Sequence, residues 1–201
     1  MDNKERIIRH ACELFLACGI RSVTMDSIAT ELSISKRTIY EIFKDKDELV
    51  IESIKHMITQ NNMVLLHIIS NAENTVTALM DIIRHQKEHS KSFTPVFVDD
   101  FKKYFPAIQS TLYSCKSDLK KFSASYSLLE KGLKEGIFRK ELAIELVDNF
   151  LHELISLMHT SQRLTALNVS EEEILTNIFI PYFRGLCTPK GLELMDKAFN
   201  V

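Results

Sequence analysis

The chain has 201 residues, of which 45% are hydrophobic and 26% charged, with a formal net charge of −2. This is ordinary globular composition, so it excludes a disordered polymer and leaves room for one large domain or two small ones with a real core. Five glycines and four prolines are few, and no strand-like alternation is bounded by turn signals, so the fold class expected is all-α, with about nine helices.

The opening "MDNKERIIRHACEL" is charged and lacks the apolar stretch of a secretory leader. The longest central apolar run, "MVLLHII", is too short to span a bilayer, so no membrane partner is expected. The four cysteines, Cys12, Cys18, Cys115 and Cys187, show no CxxC spacing and read as buried, reduced thiols of a cytoplasmic protein.

In chain order, a first helix covers about 3–18, where Ile7, Ile8, Ala11, Leu14, Phe15 and Cys18 recur at helical spacing before Gly19. A second follows the N-cap Thr24 and buries Met25, Ile28, Ala29 and Leu32. After the turn "LSIS", Ser35 caps a third helix that runs to about Phe43. The segment "KDKDEL" breaks and restarts the chain, with Asp45 or Asp47 capping a fourth helix that reaches about Asn71. Asn74 caps a fifth helix, and Pro95 and Pro106 mark further starts, since proline suits a first turn. The stretch from Pro106 to Glu135 reads as one long helix ended by Gly136, and two more helices are predicted over 141–163 and 170–186. Ser170 and Glu173 have capping-box spacing, and Pro181 should kink the last helix or open a carbonyl there. The division expected is a three-helix unit at 1–45 and a larger helical unit at 46–201.

Two short helices, "MDSIATEL" and "KRTIYEIF", joined by a tight turn, have helix-turn-helix arithmetic. Such a motif places its second helix in the major groove of double-stranded DNA, with the N-terminal residues toward base edges. Here those residues are Lys36, Arg37 and Thr38; an arginine forks onto guanine and a threonine methyl packs on thymine. Thr24, Ser35 and Tyr40 offer hydroxyls, and Lys44 and Lys46 stand at the start of the fourth helix, where an anion is favoured. Residues 33–46 hold four cations against two anions, yet residues 1–47 hold eight of each sign. Attraction to DNA must therefore come from placement rather than bulk charge. A helical hairpin with a solvated basic face has the same spacing, and the motif alone leaves both readings open.

The stretch "TMDSIATELSISKRTIYEIFKDKDELV" closely resembles the DNA-binding domain of the TetR family of bacterial transcriptional regulators. The matching residues are Thr24, Ile28, Ala29, Ile34, Ser35, Lys36, Thr38, Ile39, Tyr40, Phe43, Lys44, Lys46, Glu48 and Leu49, in order and without a gap. Three positions depart from the family pattern. Ser33 stands where glycine is usual, Arg37 where a small residue is common, and Glu41 where a basic residue or histidine is common. The resemblance implies a homodimeric repressor that offers one recognition helix per subunit to a palindromic operator. It also implies a small-molecule effector that enters the C-terminal domain and releases the DNA.

The helices predicted over 141–163 and 170–186 are apolar around much of their circumference. That breadth suggests a partner surface, with Phe150, Leu151, Leu154 and Met158 on one helix and Leu175, Phe179, Tyr182 and Phe183 on the other. Both stripes serving only an internal core is the alternative. Aromatics between 93 and 126 mark the expected effector region, with Phe97, Phe101, Tyr104, Tyr113, Phe122 and Tyr126 as candidate lining residues. Such a stripe is more often core than pocket wall. Asp81, His85 and His89 have metal-ligand spacing but lack a further fixed ligand, so they read as a solvated polar face and no metal is expected. Asp99 and Asp100 beside Lys102 and Lys103 read as surface charge. No phosphate-binding loop, dinucleotide-binding glycine pattern, nucleophile elbow or HExxH occurs, so neither an enzyme nor a cofactor is expected. The competing function is a helical ligand-binding or interaction protein without specific DNA binding.

Overall fold

The structure is a computed structural model that describes residues 2–114, 123–167 and 169–199. Its helices are α1 (Asn3–Cys18), α2 (Met25–Glu31), α3 (Lys36–Tyr40), α4 (Lys46–Asn71), α5 (Thr75–Ser90) and α6 (Pro95–Ser114). They continue with α7 (Ala124–Lys134), α8 (Ile144–Thr160), α9 (Gln162–Ala166), α10 (Glu171–Ile174), α11 (Ile180–Leu186) and α12 (Pro189–Phe199). Among the described residues there is no strand; an isolated antiparallel bridge joins Phe138 to Cys187. No described helix is long and apolar enough to cross a membrane.

The chain forms two compact units, one of Met1–Asn61 with Gln86–Lys116 and one of Asn62–His85 with Ser117–Val201. The first unit is built on α1. Its Ile7, Ile8, Ala11, Cys12 and Phe15 share a face and meet Ile28 and Ala29 of α2, Ile39 of α3 and Leu49, Val50 and Ile54 of α4. Phe15 and Phe43 are fully buried there, each worth about 1.5–3 kcal/mol of transfer free energy. Helix α1 ends at Gly19, whose φ of 82° lies in the region glycine tolerates. Phe97 of α6 completes this core.

In the second unit, Leu128 and Leu129 of α7, Leu151 of α8, Phe183 and Leu186 of α11 and Met195 of α12 bury together. The 136–139 turn ties the C-terminal helices down. Arg139 N–H donates to the Leu186 carbonyl at 3.0 Å, and Thr188 N–H donates to that of Ile137 at 2.9 Å. The Thr188 hydroxyl then accepts from Gly191 N–H, so Thr188-Pro189 opens α12.

Several local expectations hold. Asn74 Oδ1 accepts from Val76 and Thr77 N–H at 2.9 and 3.0 Å. Asp45 Oδ1 accepts from Glu48 N–H. Ser170 and Glu173 form their reciprocal box. The chain approaches Pro181 through a π turn, Leu175–Phe179, closed by Ile180 N–H on the Leu175 carbonyl. A wider turn is one way to pass a residue with no N–H to give.

Other expectations are corrected. Pro106 does not begin a helix, because α6 already starts at Pro95 behind Thr94, whose hydroxyl accepts from Phe97 N–H at 3.2 Å. Nor is 106–135 one helix, since Ser123 caps a separate α7 by accepting from Tyr126 N–H. The helix predicted over 141–163 is α8 followed by α9. Helix α12 was not expected at all. Cys18 is exposed, while Cys12 and Cys187 are buried; Cys115 lies outside the described residues.

Candidate nucleic-acid interface

Helices α2 and α3 and the turn between them form the motif. Thr24 opens α2 by accepting from Ser27 N–H at 3.0 Å, and Ser27 Oγ accepts from Thr24 N–H at 3.0 Å. Both orphan donors are thus satisfied by short side chains. The helix closes with Ile34 N–H on the Ala29 carbonyl at 3.0 Å and Ser33 in the left-handed region at φ 54°. Glycine tolerates that region, and a side chain there costs about 1–2 kcal/mol. Ile28, Ala29 and Ile39 are buried beneath, so the angle between the two helices is set by packing.

Ser35 then caps α3, accepting from Thr38 N–H at 3.1 Å, and the Ser35 and Thr38 hydroxyls lie 2.9 Å apart. Lys36, Arg37 and Tyr40 are exposed, as are Thr24 and Ser35, while Thr38 is half-buried. The sequence-predicted contacts on α2 and α3 are therefore brought onto one motif. Their cations are not bare. Lys36 Nζ donates to Asp26 Oδ2 at 2.7 Å, and this carboxylate holds the ammonium pKa above its ordinary value. Lys36 also sits 6.0 Å from the Tyr40 ring centroid. Arg37 Nε–H donates to Glu41 Oε1 at 3.0 Å.

The two lysines at the head of α4 differ. Lys44 is exposed, and its backbone N–H donates to Glu48 Oε2 at 2.7 Å. Lys46 is half-buried and donates to the Arg21 carbonyl at 3.2 Å; burial lowers its pKa, with Asp100 acting in the opposite sense.

That carboxylate belongs to a polar junction sequence reasoning missed. Asp100 on α6 is not surface charge: it is 3% exposed. Its Oδ1 pairs with Arg21 Nε at 2.8 Å and its Oδ2 accepts from Arg21 N–H at 2.9 Å. One turn on, Tyr104 Oη donates to Asp47 Oδ1 at 2.9 Å, and burial with that bond pushes the Tyr104 pKa up to about 12. Helix α6 is thereby tied both to the α1–α2 loop and to the first turn of α4. The only sequence signal was the Asp99-Asp100 pair itself.

The described candidate effector residues divide between the two units. Phe97 is core of the first unit, with Phe101 and Tyr104 packed against it. Phe93, Phe97 and Phe101 form a ladder with centroids 5.5 and 5.9 Å apart. Tyr126 is half-buried on α7 of the second unit. The Tyr113 side chain and Phe122 lie outside the described residues. In the second unit an open cleft of about 720 Å³ is instead lined by Leu66, His67 and Ser70 of α4 with Ser127 and Lys131 of α7. Asp81 is engaged by Arg84 at 3.0 Å, and among the described residues no three metal-ligating side chains come together.

On the outer face of α8, Leu146, Phe150 and Leu157 are exposed, Phe150 by 52%. Phe150 stacks on Tyr182 of α11 with centroids 5.5 Å apart. Leu154, Met158, Leu175 and Phe179 are half-buried around it, whereas Leu151 and Phe183 belong to the unit's own core.

Residues 7–52 match the family of bacterial regulatory proteins, tetR family. The chain is 27% identical over 143 residues to the uncharacterized HTH-type transcriptional regulator YhgD of Bacillus subtilis, covering 69% of this chain and 73% of that protein. In fold it is similar to the fatty acid degradation regulator FadR from Bacillus halodurans, with a TM-score of 0.58 at 16% identity over 94% and 96% of the two chains. It is likewise similar to a TetR-family transcriptional regulator from Marinobacter aquaeolei VT8, with a TM-score of 0.55 at 17% identity over 98% and 99%. These relatives are transcriptional regulators rather than enzymes. A matched helix-turn-helix segment, a regulator relative and a shared all-α fold make the chain similar to the TetR family of transcriptional regulators.

Proposed function

We propose that the protein is a cytoplasmic repressor that binds a palindromic operator as a homodimer and is released by a small molecule. Residues 1–45 are the DNA-reading part and 46–201 the effector-binding and dimerising part. The observation that carries the reading is the Ser35-capped helix α3, which presents Lys36, Arg37 and Tyr40 to solvent from a buried base of Ile39. In the major groove, Lys36, Arg37 and Thr38 face base edges, while Thr24, Ser35, Tyr40, Lys44 and Lys46 serve phosphates. Dimerisation uses the α8–α11 face around Phe150 and Tyr182. Burying that face twice places two recognition helices on one palindrome. The effector is partly apolar and binds within the 46–201 part.

Release requires the effector to bind the DNA-competent and DNA-incompetent states with different affinity. The junction of Asp100 and Tyr104 with Arg21 and Asp47 gives α6 a grip on the DNA-reading part through which such a difference can act. The test is footprinting on the DNA flanking its own gene, with and without cell extract. A protected palindrome that extract releases supports the reading. The balanced charge of residues 1–47 favours a second one, a helical ligand-binding protein without specific DNA binding. Failure to bind any DNA at low salt would establish that alternative.

A further inference from the structure

We infer that Glu41 is a positioning residue for sequence reading, aiming Arg37 at a guanine; this rests on the DNA-reading role proposed for α3. Arg37 and Glu41 are 88% and 59% exposed, lie one helical turn apart and meet through a 3.0 Å Nε–Oε1 bond. Arginine reads guanine by a fork of two N–H groups onto O6 and N7. A carboxylate bonded to Nε restrains the guanidinium and leaves the two terminal nitrogens out of that bond. The pair therefore orients the fork before DNA arrives, and a long side chain ordered in advance loses less freedom on binding. Lys36 offers a contrast, since its compact ammonium is itself the atom held by Asp26.

The same carboxylate repels the phosphates of every DNA sequence. Glu41 thus weakens binding in general while sharpening it at one base pair, and its removal moves two readouts in opposite directions. The experiment is selection of the full-length protein on a random DNA library, followed by titration on the selected site and a scrambled duplex. Wild type, Arg37→Ala, Glu41→Ala and Glu41→Gln are compared, with circular dichroism to confirm folding. Arg37→Ala identifies its base pair as the position where guanine preference is lost. Glu41→Ala should lower guanine preference at that position about two- to ten-fold, the range expected for one side chain's ordering. It should also raise affinity for scrambled DNA. Glu41→Gln, which keeps an acceptor oxygen without charge, should restore part of the preference but not the repulsion. Unchanged preference with equal gains on both duplexes would overturn the inference and leave Glu41 a repulsive charge. Sharper preference in Glu41→Ala would overturn it in the other direction, as sequestration of Arg37. Loss of no preference in Arg37→Ala would instead refute the base-reading role of Arg37, and this inference with it.

Discussion

The ion pair of Arg21 and Asp100 joins an exposed partner to a buried one, and its energetics follow from that asymmetry. Arg21 is 74% exposed at the side chain and Asp100 is 3% exposed. An exposed pair is worth about 0–1 kcal/mol, and breaking a fully buried one costs about 3–5 kcal/mol. This pair lies between, because only one partner forfeits its water. Arg21→Ala strands a buried carboxylate that keeps the backbone N–H of residue 21, so we expect a loss of about 2–3 kcal/mol. Asp100→Ala leaves the arginine free to hydrate and removes one acceptor from a half-buried N–H, so about 1–2 kcal/mol is expected. The double variant should cost less than the sum, with a coupling of about 1–2 kcal/mol. Urea unfolding of the four proteins at neutral pH, with m-values compared, measures the cycle. A coupling below about 0.5 kcal/mol, the scatter of independent sites, would refute the claim that this pair fastens α6 to the α1–α2 loop.

Further outcomes follow from single residues. Ser33→Gly should stabilise the protein by about 1 kcal/mol in thermal or urea unfolding, because Ser33 bears a side chain at φ 54°. Phe150→Glu and Leu157→Glu should convert a dimer to monomer or aggregate in light scattering, since an unpaired charge in an interface is costly; an unchanged dimer from both would move the interface elsewhere. In a Cys115→Ser background, iodoacetamide at pH 8 should label Cys18 well before Cys12 or Cys187. Burial pushes both of those thiols up to about 11, so little thiolate is present, whereas Cys18 is exposed. Labelling of Cys12 as fast as Cys18 in the native protein would contradict the packing of α1 against α4.

What could be read from sequence alone was whatever is encoded within about four residues. The caps at Thr24, Ser35, Asn74 and Ser170 each place an oxygen two or three positions from the N–H it accepts. The core faces of α1 and α2 follow from helical spacing for the same reason. Contacts between distant segments were not legible. Lys36 and Asp26 are ten residues apart, and Arg21 and Asp100 are seventy-nine apart. Proline was ambiguous in principle, because its missing N–H is harmless in a first turn and disruptive later. Pro95 and Pro189 obey the first rule and Pro106 does not, and nothing in the neighbouring sequence separates them. The aromatic run was ambiguous for a related reason: Phe97 buried in a core and an aromatic lining a cavity carry the same periodicity.

The balanced charge of the DNA-reading segment is consistent with its proposed role once the carboxylates are placed. Residues 33–46 carry four cations and two anions. Three of the carboxylates nearby act on the motif itself: Asp26 holds Lys36, Glu41 holds Arg37, and Asp45 caps α4. None of the three is a neutralising bystander, for each fixes a donor or a helix end. Such pairing reduces attraction to random duplex, because Lys36 must leave Asp26 to meet the DNA and the Glu41 carboxylate repels the backbone. A site whose bases reward Arg37 recovers that loss, and a site without them does not. A regulator searching a chromosome needs that difference more than it needs bulk affinity, since competing sites vastly outnumber operators. An acidic chain with a small cationic surface, two of whose cations are held by carboxylates, meets that requirement better than a uniformly basic one would.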